Sequence, residues 1–153
     1  MQLETQKLIG TWYEVATGPS ISEGALQNTY FQFMALWVAF NALYDSKFSH
    51  VSRQDWEQID KFAEIDEAKT RYCELLQSNV EYRESVACLR EYWAQKIRDE
   101  NSLKQVLSTI QKVRNNLFHG RKLPGNLEGE SLVRASYVIV SELMLMENFL
   151  NEP

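Results

Sequence analysis

"SLKQVLSTIQKVRNNLFHG", residues 102 to 120, reads as a complete helix from its first turn to its stop. Ser102 stands three positions before Gln105, the spacing at which a hydroxyl and an amide side chain satisfy the free N–H groups of a helix start. Leu103, Val106, Leu107, Ile110, Val113 and Leu117 then recur at intervals of three and four, which places them on one face. The helix is predicted to end near His119, because Gly120 can take the left-handed conformation that terminates a helix. Pro124-Gly125-Asn126 makes a turn beyond it, and "YVIVSELMLM" (137 to 146) fills the last helix with apolar residues.

Beyond this helix, 3.6-residue spacing recurs along most of the chain, strand signals are few, and only six Gly and three Pro punctuate it. The expected fold is all-α, an up-and-down bundle of four to five main helices in a single domain over residues 1 to 153. A short first helix carries Leu8, Trp12 and Val15 on one face and stops at Gly18-Pro19. A second runs from about Leu26 to Tyr44 and is apolar on nearly every side, as a central helix must be. Its stripe of Phe31, Met34, Trp37 and Phe40 reads as core rather than as a cofactor box. Ser52-Arg53-Gln54-Asp55 resembles a capping box and opens a charged helix to about Ser78, with Trp56, Ile59, Ala63 and Leu75 or Leu76 on its buried side and its acidic residues in solvent. Val86, Leu89, Trp93 and Ile97 continue at spacings of three, four and four; the sequence leaves open whether this stretch separates from the one before it near Ser78-Asn79.

A chain of 153 residues, 44% hydrophobic, is long enough to bury a sizeable core. "MQLETQKLIG" lacks the basic start and apolar centre of a signal peptide, and the longest apolar stretch, "FMALWVAFNALY" (33 to 44), has twelve residues, too few to span a bilayer. Cys73 and Cys88 have no C-x-x-C spacing, which fits a reducing compartment. A cytoplasmic protein with no membrane partner is expected. The net charge of −5 is unevenly spread: from Asn101 to Leu127 there are Lys104, Lys112, Arg114, Arg121 and Lys122 and no acid, while the remainder carries eleven basic residues against 21 acidic ones. A local basic patch on an acidic body would attract one polyanion site and repel non-specific binding.

That patch contains "VRNNLFHGRK" (113 to 122), with Arg114, Asn115 and His119. Val113 and Leu117 face the core, so Arg114 and Asn115 fall towards its boundary, and His119 falls in the last turn, where carbonyl dipoles favour an imidazolium. An arginine fork binds phosphate at two points and a histidine titrating near neutrality can move a proton, the minimum equipment for phosphodiester transfer. The same residues also fit an ordinary helix end that attracts cations for dipole reasons.

"VRNNLFHGRK" resembles the signature of the HEPN superfamily (higher eukaryotes and prokaryotes nucleotide-binding domain), an Arg, a polar residue, variable positions and a His near the end of a late helix. "LWVAFNALY" (36 to 44) is similar to the early core helix of a HEPN subgroup, and a capped motif helix followed by a long apolar one fits as well. The resemblance implies a homodimeric bundle that brings two such motifs into one cleft, usually as a metal-independent endoribonuclease and often as a toxin or defence effector with an antitoxin protein as partner. Carried onto this chain, His119 would be the acid/base residue, Arg114 would hold and stabilise the scissile phosphate, Asn115 would orient one of them, and Arg121, Lys122 and Lys112 would hold flanking RNA phosphates. Some HEPN toxins carry a Tyr two residues after the His, where a nucleotidyltransferase modifies them; Arg121 stands there instead.

No metal or other cofactor is expected, since His50 and His119 lie far apart and no Asp or Glu adjoins the motif in the chain. His50, in "DSKFSHVSRQ" (45 to 54), reads as a solvated loop residue. A Walker loop, a G-x-G-x-x-G and a G-x-S-x-G are all missing, so phosphate-loop and serine-hydrolase readings fall away. An RNA-cleaving enzyme and a HEPN bundle that binds a nucleotide or protein without cleaving it remain as the two readings.

Overall fold

A computed structural model describes residues 3–17, 29–118 and 127–145. Seven helices follow in order: α1 Leu3–Thr17, α2 Thr29–Phe48, α3 Asp55–Ala63, α4 Asp66–Ser78, α5 Val80–Tyr92, α6 Leu103–Phe118 and α7 Leu127–Met144. The all-α class is as expected and there is no strand among the described residues. Among the described residues seven helices stand where four to five main ones are expected, chiefly because the long charged helix predicted from Ser52 to Ser78 is two.

The break lies at Glu64-Ile65, without a Gly or Pro to announce it. The Glu64 N–H bonds back to the Lys61 carbonyl and the Ile65 N–H to that of Phe62, each at 3.1 Å, and Ile65 begins the next helix in extended conformation. The buried residues explain the division. Ile59, Phe62 and Ala63 face the core from α3, and Ala68, Tyr72 and Leu75 from α4. The five-residue step from Ala63 to Ala68 would turn a continuous helix by about 140° and carry the second set away from the core. Breaking the helix restores both faces. Trp56 is not part of the buried side, being 54% exposed. The proposed capping box does not form either: Ser52 Oγ accepts from the Gln54 N–H at 3.0 Å, and the N-cap residue Gln54 makes no side-chain cap bond. At the next junction, left open by the sequence, Asn79 ends α4 and caps α5, its Oδ1 accepting from the Tyr82 N–H at 3.0 Å.

α6 follows its sequence closely. Ser102 Oγ accepts from the Gln105 N–H at 3.3 Å, while Gln105 Oε1 turns to the N–H groups of Arg98 and Asp99 at 2.9 and 3.0 Å and ties down the preceding loop. Ile97 in that loop is fully buried. The central role of α2 also holds: it packs on α1, α3 and α7, and Phe33, Leu36, Trp37, Phe40, Leu43 and Tyr44 are in the core. Its rings continue edge-to-face from Trp37 to Phe40 to Phe62, with centroids 5.4 and 5.1 Å apart. The stripe taken as core is split, however, because Phe31 and Met34 are exposed and only Trp37 and Phe40 are buried. On α1 the inward residues are Ile9 and Ala16, with Leu8 exposed.

Three tyrosines lock helices together through main-chain carbonyls. Tyr13 donates to Ser141 O at 3.1 Å, Tyr137 to Ala16 O at 2.8 Å and Tyr82 to Ile139 O at 3.3 Å. All seven helices contribute buried apolar residues to one core. No described helix is long and apolar enough to cross a membrane. The apolar residues of 36 to 44 and 137 to 144 are largely spent in this core.

Candidate functional site

The site grows from two positions fixed by the helices above. Arg114 lies on α6, one turn before its described end, and Asp55 is the first residue of α3, where the unpaired N–H groups of a helix start favour a carboxylate. α3 packs along α6 and against α2, which brings these residues together across 59 positions of chain. Arg114 Nη2 donates to Asp55 Oδ2 in a charge-assisted hydrogen bond. Gln111, one helical turn earlier, donates through Nε2 to the same oxygen at 3.1 Å, and the Tyr44 hydroxyl from α2 donates to Oδ1. Three donors on three side chains thus converge on one carboxylate.

Aromatic rings complete the setting. The Arg114 guanidinium carbon lies 5.2 Å from the centre of the Trp37 ring and 5.5 Å from that of Phe118, within cation–π range of both. Arg114 Nε is buried without a hydrogen-bond partner, and its side chain retains 19% exposure against 30% for Asp55. The Tyr44 hydroxyl is pushed well above its ordinary pKa, first by burial and then by the hydrogen bond to Asp55, so it stays a proton donor throughout the physiological range. Tyr44 is fully buried and Phe118 is 44% exposed, so the cluster runs from the core to the surface at this end of α6.

The structure distributes the expected site residues unevenly. Arg114 and Asn115 are both half-buried on α6. Lys112 is exposed and, two residues from Arg114, points about 160° away around the helix, so the two do not share a phosphate from one direction. His119, Arg121 and Lys122 lie outside the described residues, as do Gly120 and the Pro124-Gly125-Asn126 turn. His50 is exposed in the turn after α2.

Sequence reasoning missed Asp55, Tyr44 and Gln111. Counting charge along the chain made the motif segment purely basic, but α3 returns two acids to it: Asp55 at Arg114, and Asp60 at Lys104, 3.8 Å apart. The reading that no acid adjoins the motif therefore holds in the chain and fails in space. In the sequence Tyr44 marks the end of the apolar second helix and Asp55 belongs to the expected capping box. A ring hydroxyl at the end of the apolar stretch 33 to 44, and an acid next to a tryptophan expected on the buried side, were the local signals.

In comparison with known proteins, the chain matches no protein-family model, no curated protein and no solved structure.

Proposed function

We propose that the chain is a HEPN-type, metal-independent endoribonuclease, working in the cytoplasm as a homodimer and serving as a toxin or defence effector with an antitoxin protein as partner. The observation that carries the reading is the treatment of Arg114. Its guanidinium is oriented by a carboxylate and two rings, and the side chain as a whole keeps 19% exposure, one turn before the described end of the motif helix. An oriented guanidinium is what stabilising a phosphorane-like transition state demands.

In this reaction the ribose 2′-oxygen attacks phosphorus as a base takes its proton, and the bond to the 5′-oxygen breaks as an acid protonates the leaving oxygen. A 2′,3′-cyclic phosphate and a 5′-hydroxyl result. His119 is the base or acid, Arg114 holds the phosphate, Asn115 orients one of them, and Arg121 and Lys122 hold neighbouring phosphates. Each chain has one motif histidine, so a two-fold dimer supplies the second proton-transfer group.

Purified protein should cleave single-stranded RNA in EDTA, leave cyclic-phosphate ends and spare DNA, which lacks the nucleophile. Cleavage that required magnesium, or equal cutting of DNA, would contradict this mechanism. A second reading, a bundle that binds a nucleotide or protein without cleaving, is favoured by one fact: Asp55 already neutralises Arg114. Tight RNA binding with no cyclic-phosphate product in the same assay selects it.

A further inference from the structure

We propose that Asp55 is a positioning residue: it holds one edge of the Arg114 guanidinium so that the rest meets an RNA phosphate in a single orientation. This rests on the reading of Arg114 as the phosphate-binding group. A guanidinium has five N–H donors in a rigid plane, and among the described residues Arg114 directs its hydrogen bonding to Asp55 alone, through Nη2. Among the described residues no second acceptor bonds to the fork, and its Nε is buried, so the remaining Nη hydrogens are the ones a phosphate would meet.

The carboxylate is itself immobilised. Its main chain is fixed at the start of α3, Oδ1 is taken by Tyr44, and Oδ2 is shared with Gln111. Trp37 and Phe118 restrict the guanidinium further. A long arginine side chain otherwise spreads over many rotamers, and a displacement of about 1 Å at a reacting group can slow chemistry about 100-fold.

Asp55 also lets Arg114 shift its charge towards substrate at small cost. If an entering phosphate draws the guanidinium away, Tyr44 and Gln111 still donate to the carboxylate, which is not left buried and unsatisfied. An acid held by Arg114 alone would resist that exchange. In the free protein, however, Asp55 competes with the phosphate for Arg114.

The two roles predict opposite effects on binding and on turnover. Affinity is measured with a 2′-O-methyl RNA oligonucleotide, which lacks the nucleophile and cannot be cut, and turnover with the matching RNA. Asp55→Ala should bind the uncleavable RNA as tightly as wild type or up to about tenfold tighter at low salt, while kcat falls about 100-fold. Asp55→Asn keeps the shape and an acceptor oxygen, guards against a folding failure, and should lie between wild type and Asp55→Ala in kcat. Arg114→Ala should lose both binding and turnover. Unchanged kcat in folded Asp55→Ala, or a loss of affinity matching that of Arg114→Ala, would overturn the proposal. If wild type cleaves no RNA, the ribonuclease reading fails and binding alone decides: affinity retained or raised in Asp55→Ala but lost in Arg114→Ala upholds Asp55 as orienting competitor, and equal losses refute it.

Discussion

Arg71 and Arg114 solve the same structural problem in two ways. Each reaches from one helix to an acid on another, and each has a buried Nε with no hydrogen-bond partner. Arg71 on α4 faces Glu142 on α7 at 3.9 Å, too far for a hydrogen bond, with the two side chains 32% and 34% exposed. Arg114 meets Asp55 in a true hydrogen bond, at lower exposure, with Tyr44 and Gln111 on the same carboxylate and two rings beside the guanidinium. A loose pair at that exposure contributes about 1 kcal/mol or less to stability and serves mainly to let a long side chain pack. The tighter arrangement fixes the guanidinium from several sides, which the looser pair does not.

The largest effects come from the fully buried aromatics beside each arginine. Trp37 lies against Arg114, and Tyr82 lies close enough to Arg71 to feel its charge. Trp37→Leu and Tyr82→Leu should each cost about 2–4 kcal/mol in urea unfolding, through cavity and packing loss. RNA cleavage per folded molecule should fall only in the Trp37 variant. An equal fall in both would erase the distinction between the two arginines.

Removing single hydroxyls gives a finer test. Tyr44→Phe takes one donor from Asp55 and should cost about 1 kcal/mol, together with a several-fold lower kcat. Tyr82→Phe removes a weaker 3.3 Å bond to a carbonyl and should cost less, with kcat unchanged.

How far the sequence reaches follows from the same contrast. α6 was legible because Ser102, the three- and four-residue spacing and the apolar face all lie within one helix. The end of α3 was missed because it is set by a phase slip of the core face between Ala63 and Ala68 rather than by a Gly or Pro. Arg114 and Asn115 stand out in the sequence through a local motif, but Asp55 is 59 residues from Arg114, and no periodicity connects them. Phe31 and Met34 were taken as core because α2 is apolar all round; which of its sides meets solvent depends on where α1, α3 and α7 pack.

The smallest effect is a pH dependence on the Arg71 side. Burial, with Glu142 second, raises the Tyr13 hydroxyl from 10.0 to about 12. A raised acid favours the folded state while neutral, so its contribution is complete below pH 10 and is lost as pH rises towards about 12. Urea unfolding between these values should show falling stability, with a shallower slope in Tyr13→Phe. Identical slopes would show that Tyr13 plays no part.

The most direct test exchanges both arginines for lysine and measures kcat and Tm side by side. Lysine keeps the charge but loses the planar fork and its orientation. Arg114→Lys should lose about 100-fold in kcat with a small change in Tm, whereas Arg71→Lys should keep kcat and shift Tm by a few degrees at most. Full activity in Arg114→Lys, or matching losses of kcat in both variants, would contradict the assignment of Arg114 to the reaction.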